Sequence, residues 1–104
     1  MIKVSYQVSK DMITYLEIKG HAESGEYGKD LICAACSAIT FGLLNGLDML
    51  DLGIEIKDSG NNITIINNTD DITVQNYLQL TLIQLETVQT SYPQFINIKR
   101  KELS

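Results

Sequence analysis

Two short runs near the start of the chain alternate apolar and polar residues, which is the period of a half-buried β-strand. The apolar positions of the first run are Ile2, Val4, Tyr6 and Val8. The second run places Met12, Thr14, Leu16 and Ile18 on one face and Ile13, Tyr15, Glu17 and Lys19 on the other. Lys10 and Asp11 separate the runs, so we predict a β-hairpin. If the second strand continues through Gly20, His21 lies opposite the apolar face, at a strand end where side chains meet solvent and ligands.

A long apolar stripe predicts a helix in the centre of the chain. Asp30 suits the N-cap position and Gly53 suits a helix end, so the helix is predicted from Leu31 to about Leu52. At about 100° per residue, one face carries the apolar residues Ile32, Cys36, Ile39, Leu43, Leu47 and Leu50. A second row, Ala34, Ala38 and Gly42, consists of small residues. Small residues at this spacing permit the close approach of another backbone or another subunit.

The second half of the chain repeats the order strand, strand, helix. The predicted elements are a hairpin with strands at 54–57 and 63–66, a helix that follows the capping residues 69–71 and ends before Pro93, and a short strand at 95–98. We therefore predict an α/β fold, a two-layer sandwich in the order β-β-α-β-β-α(-β). Its sheet is mainly antiparallel, and both helices lie on one face.

Composition and charge limit the classes of function. A chain of 104 residues, 44% of them hydrophobic, is long enough for one domain with a single core. Its net charge of −5 disfavours direct binding to nucleic acid or to an anionic membrane and favours a basic partner. The short basic cluster at 99–101 is predicted to be a solvated tail.

The sequence also predicts a cellular compartment. The N-terminus does not have the pattern of a signal peptide. No apolar stretch approaches the roughly 20 residues needed to cross a bilayer, so we expect a protein without a membrane partner. A cytoplasmic location follows as an expectation, and thiols in the cytoplasm stay reduced.

Reactive side chains concentrate in one segment. Residues 20–38 contain the only histidine, both cysteines and three of the seven glycines. Cys33 falls in the first turn of the predicted helix, where free N–H groups and the helix dipole favour a thiolate. His21 is suited to act as its base and later to protonate a leaving amine. The N–H groups of the same helix start are suited to stabilise an oxyanion.

Several neighbours of this pair are candidate site residues. A mobile loop that covers substrate is predicted at Gly25, Glu26, Tyr27 and Gly28. Asp30 is available to orient His21 or to bind a substrate amide. Ser37 lies one turn beyond Cys33, where it can donate to the thiolate or, more simply, to a carbonyl one turn back. By helical geometry Cys33 lies beside the apolar stripe and Cys36 lies within it, which makes Cys33 the better nucleophile.

Two other uses of the cysteines remain open. The Cys33-Ala34-Ala35-Cys36 spacing at a helix start is similar to that of thiol redox sites. However, two alanines favour a continuous helix, and the element order differs from the βαβ start of a thioredoxin. A zinc site would need a fourth ligand, which the two cysteines and one histidine do not supply. We expect neither a metal nor a cofactor.

The same segment resembles a known family signature. It reads Gly20-His21-Ala22, then Gly25-Glu26-Tyr27-Gly28, then Asp30-Leu31-Ile32-Cys33-Ala34-Ala35 and Ser37-Ala38. This pattern is similar to that of the ribosomal-processing cysteine protease family, called Prp. The resemblance implies a cytoplasmic endopeptidase that removes an N-terminal extension from a ribosomal protein of the large subunit. It also implies a homodimer and a two-layer α/β fold.

The resemblance assigns roles by position. Cys33 corresponds to the nucleophile and His21 to the general base and acid, with Asp30 and Ser37 as supporting residues. The loop between His21 and Cys33 is expected to order around substrate. Cys36 departs from the family pattern, since an apolar or small residue is expected there. A noncatalytic ribosome-assembly or protein-interaction module with the same fold is the first alternative, and a thiol redox protein is the second.

Overall fold

The order strand, strand, helix is found in both halves of the protein, as predicted. The computed structural model describes residues 1–21 and 29–103. In those residues the strands are β1 (Ile2–Ser9), β2 (Met12–Lys19), β3 (Glu55–Asp58), β4 (Asn62–Ile66) and β5 (Ile96–Leu103), and the helices are α1 (Lys29–Leu50) and α2 (Ile72–Ser91). The predicted substrate loop at Gly25, Glu26, Tyr27 and Gly28 lies outside the described residues.

The strands form one mixed sheet in the order β3-β4-β2-β1-β5. Every neighbouring pair is antiparallel except β1 with β5, which is parallel. The predicted fold class, a two-layer α/β sandwich with a mainly antiparallel sheet, is therefore confirmed. The last strand is longer than predicted, and the basic cluster at 99–101 belongs to it. The prediction of a solvated tail is wrong because all eight residues of β5 pair with β1.

One face of the sheet and the facing stripes of both helices form the core. The buried apolar residues of the strands are Ile2, Val4, Val8, Ile13, Leu16, Ile18, Ile63, Ile65 and Ile96. Those of the helices include Ile32, Cys36, Leu43, Leu47, Val74, Leu78 and Leu85. Four of the six residues predicted for the apolar stripe of α1 are buried and the other two are partly buried. Both helices therefore cover a single face of the sheet.

A β-bulge changes the face to which Ile13 belongs. Lys10 and Asp11 form the tight turn with φ of 52° and 63°. The register then shifts between Gln7 and Val8, so that Val8 pairs with Ile13. Because paired residues share a face, Ile13 joins the core, and its prediction for the polar face is wrong. The alternation of side chains along a sequence does not reveal a bulge.

The boundaries of α2 agree with the predicted capping residues, whereas those of α1 do not. Asp71 is the N-cap of α2, and its side chain accepts a hydrogen bond from the Val74 N–H at 3.0 Å. This helix ends before Pro93, as predicted. By contrast, α1 begins at Lys29, so Asp30 lies in its first turn and is not the N-cap. It ends at Leu50, two residues early, because Asp51 adopts a left-handed conformation with φ of 53°.

Helix α1 contradicts the prediction that no apolar stretch is nearly long enough to cross a bilayer. Its segment Asp30–Leu50 is long and apolar enough to cross a bilayer by length and composition. The statement that no apolar stretch approaches this length is therefore wrong. The buried side chains of α1, including Ile32, Leu43 and Leu47, pack in the core of the protein. The core helix of a soluble protein meets the same criterion, so this feature is weak evidence for a membrane span.

Candidate active site

Gly20 determines where the histidine lies. Its φ of 87° is a left-handed conformation that favours glycine, and a Cβ at this position would lie 3.1 Å from the Met1 carbonyl oxygen. The Gly20 N–H also donates to the Asn61 carbonyl at 2.8 Å. The chain therefore leaves the strand direction after Lys19 and turns beneath α1. His21 is only 1% exposed, and the prediction that it meets solvent at a strand end is wrong.

Two hydrogen bonds hold His21 against Ser37. The Ser37 hydroxyl donates to the His21 carbonyl oxygen at 3.0 Å, and its oxygen lies 2.9 Å from Nδ1 of the imidazole. A serine hydroxyl has one hydrogen, and the carbonyl can only accept. Ser37 must therefore accept from Nδ1–H, which places the proton of the neutral imidazole on Nδ1. This differs from the sequence-based prediction that Ser37 donates to the thiolate or to a carbonyl of its own helix.

The other ring nitrogen of His21, Nε2, then carries a lone pair and no hydrogen. Among the described residues, Nε2 is buried and has no hydrogen-bond partner. The ring packs edge-on against Phe41, with centroids 5.7 Å apart and an interplanar angle of 71°. Buried polar atoms are nearly always paired, so this unpaired nitrogen is a candidate for a functional contact.

Cys33 lies beside the same turn of the chain. Its thiol donates to the Gly20 carbonyl oxygen at 3.8 Å, which brings the start of the second turn of α1 next to the residue that precedes His21. Cys33 is 6% exposed, so it is buried as well as adjacent to the core stripe. The sequence-based prediction placed Cys33 in the first helical turn, but α1 begins at Lys29, so Cys33 is its fifth residue and follows the four residues whose N–H groups are free. Its burial was not predicted.

Cys36 behaves as a core residue, as predicted. It is fully buried, and burial together with the nearby Cys33 raises its pKa to about 11. The thiol form therefore dominates at neutral pH, which makes Cys36 a poor nucleophile. Neither cysteine forms a disulfide bond in residues 1–21 and 29–103.

The remaining candidates are placed less centrally. Asp30 is exposed in the first turn of α1. Phe41 was not identified from the sequence, although Cys33, Ser37 and Phe41 recur at a spacing of four along the helix and so share one side of it. No group of three or more possible metal ligands is found in residues 1–21 and 29–103.

Comparison with known proteins identifies a family that this chain resembles over nearly its whole length. A family model described as "Cysteine protease Prp" matches residues 1–97. The chain is 34% identical over 106 residues to the ribosomal processing cysteine protease Prp of Staphylococcus aureus (strain NCTC 8325 / PS 47). That match covers 97% of this chain and 100% of the relative.

Two solved structures of the S. aureus protease have the same fold. One is a complex with a substrate peptide, with a TM-score of 0.86, 32% identity, and coverage of 97% of this chain and 100% of the other. The second holds a covalently linked product peptide, with a TM-score of 0.82, 33% identity and the same coverage of both chains. The similarity therefore extends over the whole sheet and both helices.

Proposed function

Because this chain belongs to the Prp family of cysteine proteases, we propose that it is the endopeptidase that removes the N-terminal extension of a large-subunit ribosomal protein. The observation that carries this proposal is the buried Nε2 of His21, which has no partner among the described residues, together with the contact between the Cys33 thiol and the carbonyl of the preceding residue, Gly20. The S. aureus relative is a ribosomal processing protease, and this supplies the class of substrate.

The proposed chemistry uses three side chains. His21 accepts the thiol proton on Nε2, and the Cys33 sulfur attacks the scissile carbonyl carbon. The amide C–N bond then breaks as His21 returns the proton to the leaving amine, which leaves a thioester on Cys33. Water deprotonated by His21 hydrolyses that thioester and regenerates the thiol. Ser37 keeps the other imidazole proton on Nδ1, so that Nε2 is free for each transfer.

The start of α1 is proposed to stabilise the transition state. Free N–H groups in the first helical turn are suited to bind the oxyanion that forms on the attacked carbonyl. Asp30, exposed in the same turn, is proposed to support substrate binding. The segment Gly25, Glu26, Tyr27 and Gly28 is proposed to cover the bound extension. Its acidic residue and the net charge of −5 suit a basic ribosomal protein.

We further propose that the whole chain is one protease domain that acts in the cytoplasm as a homodimer. The predicted row of small residues supports the dimer, because Ala34, Ala38 and Gly42 are exposed. Ala38 and Gly42 line a groove of about 440 Å³ between the two helices, next to the exposed Leu80. Gly42→Glu is expected to produce monomers in sedimentation velocity. Gln94→Glu, which adds the same charge outside the groove, is expected to remain dimeric; a monomeric wild type would contradict the proposal.

Cleavage of the ribosomal precursor tests the function directly. The precursor is incubated with reduced wild type, Cys33→Ser, His21→Ala and the control Cys36→Ala, and its mass is measured. We expect one cut near the N-terminus with wild type and with Cys36→Ala, and none with the other two. No cut by folded wild type would contradict the proposal and favour a binding module. Loss of activity in Cys36→Ala would favour redox chemistry.

A further inference from the structure

The face of the sheet opposite the helices concentrates positive charge. Side chains alternate along each strand, and residues paired between neighbouring strands share a face, so the pairing identifies the members of this outer sheet face. Its charged residues are Lys3, Lys19, Lys57, Lys99 and Lys101, with Glu17 and Glu55. The whole chain has only 8 basic residues against 13 acidic ones. The basic residues are therefore concentrated on one side of an acidic protein.

Ion pairing neutralises only part of this charge. Nζ of Lys19 lies 3.6 Å from Glu17, and Nζ of Lys57 lies 3.9 Å from Glu55. The other three lysines of the outer sheet face are exposed and have no ion-pair partner within residues 1–21 and 29–103; they are Lys3, Lys99 and Lys101. Two of them belong to β5 and one to the neighbouring β1. The unpaired charge thus lies on the β1 and β5 side of the sheet.

The position of Lys3 works against the stability of the sheet. Lys3 lies directly opposite Lys19 in the ladder between β1 and β2, and like charges directly opposite one another are destabilising. The two side chains also line a concavity of about 560 Å³ that includes Gly20 and Asn62. An ordinary solvated face does not need such a pair. Glu17 offsets part of the charge of Lys19, and an anion bound in this concavity would offset the charge of Lys3 and reduce the remaining repulsion.

We propose that the outer sheet face binds the phosphate backbone of RNA. Lysines without ion-pair partners contact phosphates without reading sequence, and the release of counterions from RNA drives such binding. An anionic membrane is the less suitable partner, because binding at its surface also needs apolar side chains to insert. The exposed large apolar side chains of the described residues all lie outside the five strands.

The choice of RNA rests on the proposed function, because a ribosomal precursor is assembled together with ribosomal RNA. A protease that holds RNA by its sheet would approach its substrate within such a particle. The expectation that this protein does not bind nucleic acid came from its net charge. Net charge does not describe how the charges are distributed, and binding depends on the local field at the contact surface.

A matched pair of double variants tests the surface. Lys99→Gln/Lys101→Gln removes two charges from the outer sheet face. Lys10→Gln/Arg100→Gln removes two charges from the hairpin turn and from the other side of β5. The probe is a fluorescein-labelled uridine oligonucleotide of about 20 nucleotides, followed by fluorescence anisotropy at about 50 mM salt. We expect the face variant to bind about tenfold more weakly and with a smaller salt dependence, and the control to bind like wild type.

Three results would overturn the proposal. They are no binding of the probe by wild type, an equal loss in both double variants, and binding to phosphatidylglycerol vesicles in place of RNA. Thermal melts confirm that each variant is folded. Cleavage of the precursor is measured in the same samples, and we expect the face variant to retain it. A protein that cleaves but binds no RNA overturns this proposal alone, whereas one that binds RNA but never cleaves overturns the proposed function alone.

Discussion

The two ends of strand β2 both bury polar groups beneath the helices, but only one end pairs them. At the start of the strand, Gln75 accepts from the Ile13 N–H at 2.9 Å and donates to the Ile13 carbonyl at 2.7 Å. Asn67 adds a second donor to that carbonyl at 3.2 Å. Beyond the other end, Nε2 of His21 has no partner among the described residues. Oδ1 of Asn62 also has no partner among the described residues, but Asn62 is paired with Lys19 in the ladder and therefore belongs to the outer sheet face.

This difference separates a structural polar cluster from a reactive one. Beside the bulge, the N–H and the carbonyl of Ile13 are both bonded by Gln75, a buried side chain from α2. The Ile13 cluster shows that this fold supplies partners to polar atoms that lie buried beneath its helices. The unpaired nitrogen of His21 is therefore better explained by a function than by poor packing. The variants below should affect stability at the first end and catalysis at the second.

The largest effect is expected from His21→Ala. Without His21, no base removes the proton of the thiol and no acid protonates the leaving amine. We therefore expect kcat/KM to fall by at least about a thousandfold. Initial rates on a peptide that spans the cleavage site measure this loss, and a urea titration confirms that the variant is folded. A folded His21→Ala protein with near wild-type activity would show that the end of β2 next to His21 is not catalytic.

At the opposite end of β2, Gln75→Leu should affect stability. It leaves the Ile13 N–H and carbonyl buried without their Gln75 partner, which we expect to cost about 2–4 kcal/mol in the free energy of unfolding. Urea denaturation measures this loss, and Gln79→Leu on the exposed side of the same helix is the matched control. Under conditions where Gln75→Leu is fully folded, its kcat/KM should equal that of wild type. A specific loss of activity would mean that the two ends are coupled.

A smaller catalytic effect is expected from Ser37→Ala. This change removes the acceptor that keeps a proton on Nδ1, so the productive tautomer of His21 is populated less and kcat falls by about a hundredfold. KM should change little, and the acidic limb of the pH profile of kcat should move. Ser37→Thr, which retains a hydroxyl, should recover much of the rate. A loss confined to stability, with an unchanged pH profile, would assign Ser37 a structural role only.

The smallest effect is expected from Cys36→Ala. Cleavage should remain close to wild type, while the loss of a buried sulfur costs about 1 kcal/mol of stability. In folded wild type, burial raises the pKa of the Cys36 thiol to about 11, from an ordinary value of 9.0. The unfolded state loses that proton first, so wild-type stability should fall as the pH rises between these values. Urea titrations across this range should show the gap between variant and wild type narrowing; a constant gap would contradict the assignment.

Much of the fold could be predicted because local patterns and tertiary packing agree. The alternation in β1, the stripe on α1 and the cap at Asp71 each specify an element by themselves. The face of Ile13 could not be predicted, because the alternation does not reveal the bulge and the backbone of Ile13 is bonded by Gln75, which lies 62 residues away. The parallel pairing of β5 with β1 is also nonlocal, and so the basic cluster was misread as a tail.

For the site, the sequence identified the residues correctly but did not predict their burial or their hydrogen bonds. His21, Cys33 and Ser37 were all singled out, since reactive side chains concentrate around the start of α1. The burial of His21 was missed because it follows from the left-handed turn at Gly20, which ends the alternation of the strand. The direction of the Ser37 hydrogen bonds was missed for the same reason, as its partner is brought from another element.

The pairing of β1 with β5 has a consequence for synthesis and folding. Residues 2–9 obtain their second neighbour only from residues 96–103, so this ladder joins segments that are far apart in the chain. Contacts of such long sequence separation slow folding, because a large loop must close before they form. During translation, β1 remains an open edge until residues 96–103 have been made. The sheet is therefore completed late, and the nascent protein should gain its activity only after β5 leaves the ribosome.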